Sequence, residues 1–120
     1  MEKQINLVKD FHKKFKVRIS DSPSLIPENN SNNRYFLMKE EIEEYLLGVK
    51  NQEIENIAKE LCDILYTVYG TILEHGLQDK IEEIFEEVHN SNMSKEYHKY
   101  KMIKGRNYFK ADIKKFFVNK

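Results

Sequence analysis

The chain is poor in the residues that build disulfide scaffolds, β-barrels and membrane spans. It has one cysteine, Cys62, so no internal disulfide can form, which fits a reducing cytosol. Two prolines and four glycines in 120 residues are few for the close-set turns of a sandwich or barrel. No apolar run reaches the roughly 20 residues of a spanning helix. The most apolar stretch, "KELCDILYTVYGTIL" (59–73), is interrupted by Asp63 and Gly70. The opening "MEKQINLVKDFHKKF" is charged throughout and lacks the apolar core of a signal peptide. Formal net charge is zero, so no excess of either sign draws the protein to nucleic acid or to a membrane surface. What remains is a single cytoplasmic all-α domain over residues 1–120.

Charge is abundant but segregated. Residues 40–87 hold most of the acids, and the end holds Lys95, Lys99, Lys101, Lys104, Arg106, Lys110, Lys114, Lys115 and Lys120. Solvated helix faces account for most of these side chains.

Apolar spacing predicts four helices. The first covers 2–15, with Ile5, Val8, Phe11 or His12, and Phe15 on one stripe. "RISDSPSLIPENNSNN" (18–33) holds both prolines and reads as a long loop, of a length that is often functional or mobile. The second helix runs from Arg34 to a stop at Gly48. The third runs from an Asn51 N-cap to His75, with Ile54, Ile57, Leu61, Ile64, Leu65, Val68 and Ile72 as a core face. It is apolar on its other sides too, so it is central, and some of its cover is expected from a second subunit. The fourth is "LQDKIEEIFEEVHNSN" (77–92), with Ile81, Ile84, Phe85 and Val88 as its stripe. Residues 93–120 show no period, and "KGRNYFKADI" (104–113) reads as a turn and an extended segment. The expected fold is a four-to-five-helix bundle with a less regular C-terminal tail.

Asp63 is out of place in its apolar run. A carboxylate there is costly unless something neutralises it. Glu60 lies three residues upstream, and "EEIEE" (40–44) repeats the pattern with Glu41 and Glu44. Residues three or four apart share a helix face. A short connection at Gly48 packs the two helices antiparallel, so Glu41 and Glu44 can oppose Glu60 and Asp63. Four carboxylates in one cleft repel unless cations join them. Oxygen-only donors select Mg²⁺, with Mn²⁺ the next choice, and Mg²⁺ completes its shell with water and phosphates. The spacing alone is common on charged helices, and a capped or salt-bridged Asp63 is the ordinary alternative.

"EEIEE", "ELCD" (60–63), "VHNSNMSK" (88–95), "KGRNYFKADI" and the opening "VKDFHKKF" (8–15) together resemble the MazG-type all-α nucleoside triphosphate pyrophosphohydrolases. That superfamily also holds dimeric dUTPases and phosphoribosyl-ATP pyrophosphohydrolases. The resemblance implies Mg²⁺ held by Glu41, Glu44, Glu60 and Asp63. It implies Glu40 as the residue that orients or deprotonates the attacking water. It implies Asn92 and Lys95 on the leaving pyrophosphate, with Lys104, Asn107 and Tyr108 closing from the tail. Phe11, His12, Phe15 and Tyr35 are candidates to stack on or contact the base, though their default is helix packing, and Tyr66, one turn beyond Asp63, is the alternative lining of the pocket. The implied reaction cleaves a nucleoside triphosphate between its α- and β-phosphates. The substrate is dUTP, another non-standard or deoxynucleotide, or phosphoribosyl-ATP. The implied assembly is a homodimer or a dimer of dimers. Where relatives carry prolines in the tail, this chain has Arg106, Lys110 and Ala111.

Two rival readings remain. A di-iron carboxylate bundle needs ExxH on two helices, and Glu86-x-x-His89 is the single copy here. A non-enzymatic helical module that binds metal or a partner explains the charge segregation but not Asp63.

Overall fold

A computed structural model describes residues 1–118; Lys120, counted above in the basic tail, lies outside the described residues. The chain forms two compact units, Met1–Gln78 and Asp79 onward. It is mostly helical, as the spacing predicts.

The first unit holds α1 (Glu2–Phe15), α2 (Glu28–Lys50) and α3 (Ile54–Glu74). α1 buries Ile5, Val8 and His12, spaced to share one face. It has Glu2 in its first turn and His12, Lys13 and Lys14 in its last, which suits the helix dipole. Lys16 closes it in the left-handed conformation at φ 58°.

α2 is longer than its stripe predicts. It begins directly after Pro27, so the Asn- and Ser-rich segment is helical rather than loop. Ser31 Oγ donates to Glu28 O at 3.0 Å, which satisfies a polar side chain on the helix's own backbone. Gly48 does not stop the helix. It is buried inside it and packs beside Ile57 of α3, where a Cβ would make ordinary contact at 3.5 Å from Ile57 Cγ1. The chain reverses four residues later at Gln52, with φ 55°, and Glu53, not Asn51, holds the N-cap position of α3.

The loop after α1 is anchored rather than free. Ser20 N–H donates to Leu73 O at 3.0 Å and Ser20 Oγ to Glu74 O at 2.6 Å. Ser24 N–H reaches His75 O at 2.9 Å. Gly76, at φ 68°, leaves the space that the backbone carbonyl of Ser22 occupies.

α3 packs against both other helices, as a central helix should, but its buried residues differ from the expected core face. They are Glu60, Gly70, Leu73 and Glu74, while Ile54, Leu61 and Leu65 are exposed. The fully buried part of α3 is therefore mostly polar or glycine, while Ile57, Ile64, Val68 and Ile72 of the apolar stripe are half-buried.

The second unit holds α4 (Ile81–Met93), an antiparallel hairpin of β1 (Glu96–His98) and β2 (Lys101–Ile103), and a 3₁₀ turn at Lys114–Phe117. The hairpin pairs Tyr97 with Met102 and is a feature that the sequence pattern does not announce. Residues 104–113 carry neither helix nor strand, in line with the expected extended segment. Glu87, Ser91 and Ser94 line one face of α4 and hold the tail. Ser91 Oγ donates to Phe109 O at 2.8 Å, Phe109 N–H to Ser94 Oγ at 3.1 Å, and Asp112 N–H to Glu87 Oε1 at 3.0 Å. Among the described residues, no helix is long and apolar enough to cross a membrane.

Candidate functional site

The α2–α3 hairpin brings the two acidic motifs together. Glu41 and Glu44 from α2 and Glu60 and Asp63 from α3 each offer a carboxylate oxygen, and these oxygens all lie within 4.8 Å of one another. Glu60 is buried and the other three are half-buried. Antiparallel packing produces the convergence, because Gly48 meets Ile57 at one end of the seam and the acids follow within two turns.

The electrostatics are those of charges crowded without enough counter-charge. The Glu41 carboxyl is pushed up to about 7, first by burial, then by Glu44, Asp63 and Glu60. Glu60 is raised too, again with burial the largest cause. Lys59 is the near cation, with Nζ 2.7 Å from Asp63 Oδ2 and 3.7 Å from Glu60 Oε1. It leaves Glu41 Oε2 and Glu60 Oε2 buried with no hydrogen-bond donor. Unsatisfied buried carboxylate oxygens are costly, and a cation between them removes the cost. The donor set is all oxygen, which suits a hard divalent ion. The residues present therefore fit Mg²⁺ or Mn²⁺. The rival reading of Asp63 as a salt-bridged residue holds in part, since Lys59 does bond it, but Lys59 alone leaves two acids unserved.

Glu40 is exposed on α2, next to Glu41 and outside the group of four. Tyr66 lies one turn beyond Asp63, turned toward α1. Its ring meets that of Phe11 edge-on at 5.4 Å. Tyr66 also lines an apolar cavity of about 160 Å³ with Gln4, Leu7, Val8, Cys62, Leu65 and Tyr69. Phe15 and Tyr35 are exposed. His12 is not brought to the carboxylates. It is buried beside Gly70, about 10 Å further along α3 than Asp63. There its Nδ1 lies 3.1 Å from Arg18 O, and a carbonyl only accepts, so Nδ1 carries the proton.

Asn92 and Lys95 flank the end of α4, the first exposed and the second half-buried. Lys104 Nζ sits 5.2 Å from the Tyr108 ring centre, a cation–π contact, and Asn107 is exposed beside them. These five residues belong to the second unit.

Sequence reasoning missed two residues, Lys59 and Arg34. Lys59 stands four residues before Asp63, the spacing of a helical ion pair. Arg34 had no such signal, since its partners lie 33 or more residues away.

The sequence profile of phosphoribosyl-ATP pyrophosphohydrolase matches residues 8–92, which covers α2, α3 and nearly all of α4. No curated protein matches the sequence.

Proposed function

This chain belongs to the phosphoribosyl-ATP pyrophosphohydrolase family, within the MazG-like superfamily, and on that footing we propose that it hydrolyses a nucleoside triphosphate between the α- and β-phosphates. Membership supports a nucleotide pyrophosphohydrolase-type activity in general terms, and the finer reading rests on the site. The observation that carries it is the convergence of four carboxylates with two buried oxygens left unserved.

Glu41, Glu44, Glu60 and Asp63 hold the metal, Mg²⁺ or Mn²⁺. When bound, the ion supplies the positive charge that draws in the phosphates and neutralises charge developing on them. The chain's own residues do the rest. Glu40, exposed beside the cluster, accepts a proton from the attacking water. The water oxygen bonds to the α-phosphorus as the bond from that phosphorus to the bridging oxygen breaks, and pyrophosphate leaves. The family resemblance, rather than any described contact, assigns Asn92 and Lys95 to the leaving pyrophosphate and Lys104, Asn107 and Tyr108 to the phosphates. Tyr66 lines the base pocket from α3. His12, buried beside Gly70, is the second candidate for a contact to the base. The protein works as a homodimer, or a dimer of dimers, in the cytosol.

A non-enzymatic interaction module would need the acidic cluster only as surface charge, and buried Glu60 argues against that. The test is a panel of nucleoside triphosphates with Mg²⁺, including dUTP, with phosphoribosyl-ATP alongside, scored for pyrophosphate against phosphate. Pyrophosphate from at least one member is expected. Phosphate alone, or no turnover across the panel, overturns the reading.

A further inference from the structure

The carboxylate cluster repels itself, so something must hold α2 and α3 in register before any cation arrives. Apolar packing supplies only part of that register. Ile42, Leu46, Leu61 and Leu65 on the two helices are all exposed in the chain. The buried contacts of the seam bracket the cluster instead. Gly48 against Ile57 lies at one end. At the other end is Arg34, two helical turns before Glu41 on the same face of α2.

Arg34 is buried and gripped at three points along α3. Its Nη2 donates to Thr67 O at 2.9 Å, its Nε to Thr71 Oγ1 at 3.1 Å, and its Nη1 pairs with Glu74 Oε2 at 3.3 Å. Glu74 is buried as well. The three acceptors span two turns of α3, and the guanidinium fork is rigid and directional. A slip of α2 by one residue, about 1.5 Å, would break more than one of these bonds. Gly70 keeps the space for the fork, since a Cβ there would fall 2.5 Å from Arg34 Nη2.

We infer that the Arg34–Glu74 pair is a register clamp that positions Glu41, Glu44, Glu60 and Asp63 for their cation. The inference rests on the metal site proposed above. Arg34 and Glu74 act through the helices and are positioning residues, remote from the reacting atoms.

The clamp is separable from stability, because replacing both members of a buried ion pair with apolar residues is often neutral or stabilising. Thr67 O would keep its bond from Thr71 Oγ1, at 2.8 Å, so the double change leaves that acceptor served. The experiment measures Mn²⁺ binding to metal-free protein by electron paramagnetic resonance, with circular dichroism and Tm alongside. It uses the wild type, Arg34→Met/Glu74→Leu, and Arg34→Lys. The double variant is expected to fold with a Tm near or above that of the wild type, yet bind Mn²⁺ about tenfold or more weakly. Arg34→Lys keeps the charge but cannot reach all three acceptors, so it is expected to fall between. Wild-type affinity in every variant that folds overturns the clamp and leaves the metal site standing. Absence of Mn²⁺ binding by the wild type overturns the metal site and the clamp together.

Discussion

Lys59 Nζ lies 2.7 Å from Asp63 Oδ2, one helical turn away, and so puts the nearest positive charge of the carboxylate cluster on its rim rather than at its centre. The lysine is largely exposed, and its bond to Asp63 is the main reason its pKa is raised. A cation entering the cluster must compete with it for Asp63. Removing it therefore removes a competitor. Lys59→Met is expected to tighten Mn²⁺ binding by about two- to fivefold, the modest scale of an exposed ion pair. Titration calorimetry checks this, and weaker binding in the variant would mean that Lys59 helps to hold the site rather than competing for it.

The four acids should trade stability against function. In metal-free protein each charge repels the others, so Glu41→Gln relieves strain where burial and Glu44 already hold the carboxyl near 7. Its Tm in EDTA is expected above that of the wild type, and the rise in Tm on adding Mg²⁺ should shrink or vanish. Asp63→Asn and Glu44→Gln should lower pyrophosphate release by about a hundredfold or more while the helical circular dichroism persists. Activity surviving both changes sinks the assignment of these residues.

His12 should cost stability in mild acid, against a gain from Glu41, whose value of about 7 makes the folded chain take that proton first. Burial is the main cause that lowers its pKa, the bond to Arg18 O opposes it, Arg34 lowers it further and Glu74 raises it. A folded-state value below the ordinary 6.5 means that the unfolded chain takes the proton first. The stabilisation is then full above about pH 6.5 and is lost as pH falls through the lowered value. Between pH 8 and pH 5 the Tm of His12→Gln should rise relative to that of the wild type as pH falls below about 6.5, since the Glu41 gain is common to both proteins. Parallel profiles for the two proteins would assign the acid sensitivity elsewhere.

Much of this site was legible because its signal is local. "EEIEE" and "ELCD" fall on helices whose spacing fixes their faces, and a short connection fixes their opposition. The family's motifs were legible in the same way. What stayed hidden depends on long-range pairing. Arg34 reads as a helix start until α3 is placed against it. Gly48 reads as a stop because glycine commonly follows a helix, yet here the helix runs on through it to Lys50. The core face read on α3 includes Ile54, Leu61 and Leu65, which are exposed, while the residues buried on that helix are Glu60, Gly70, Leu73 and Glu74. The Tyr97–Met102 hairpin was missed because three-residue strands leave almost no periodic signal.

The tail of the second unit is held by a carboxylate whose bonds depend on its charge. Glu87 has its pKa lowered by the Asp112 N–H bond first and by Lys115 next, with Lys115 Nζ 3.0 Å from Oε2. That hold is present above the ordinary carboxylate value of 4.5 and lost as pH falls through the lowered one. Glu87→Ala should speed hydrogen exchange at Asp112 and loosen the 3₁₀ turn, while α4 keeps its protection. Unchanged exchange at Asp112 would show that Ser91 and Ser94 suffice to fix the tail.

The exposed stripe makes the assembly testable. Leu61 and Leu65 lie one turn apart on α3, 46% and 49% exposed, and Leu65 lines the apolar cavity with Leu7 of α1, 57% exposed. Apolar surface of this extent is unfavourable in water at roughly 25 cal/mol per Å² and is the usual mark of a subunit contact. Light scattering is expected to give at least twice the 14.4 kDa chain mass. Leu65→Glu puts a charge into that contact, where burial without a partner costs more than the lost apolar area returns. It should yield a helical monomer that no longer releases pyrophosphate if the cleft needs the partner, or a monomer with retained turnover if it does not. A wild type that stays monomeric at high concentration ends the dimer reading, and a dimer undisturbed by Leu65→Glu moves the interface to another face.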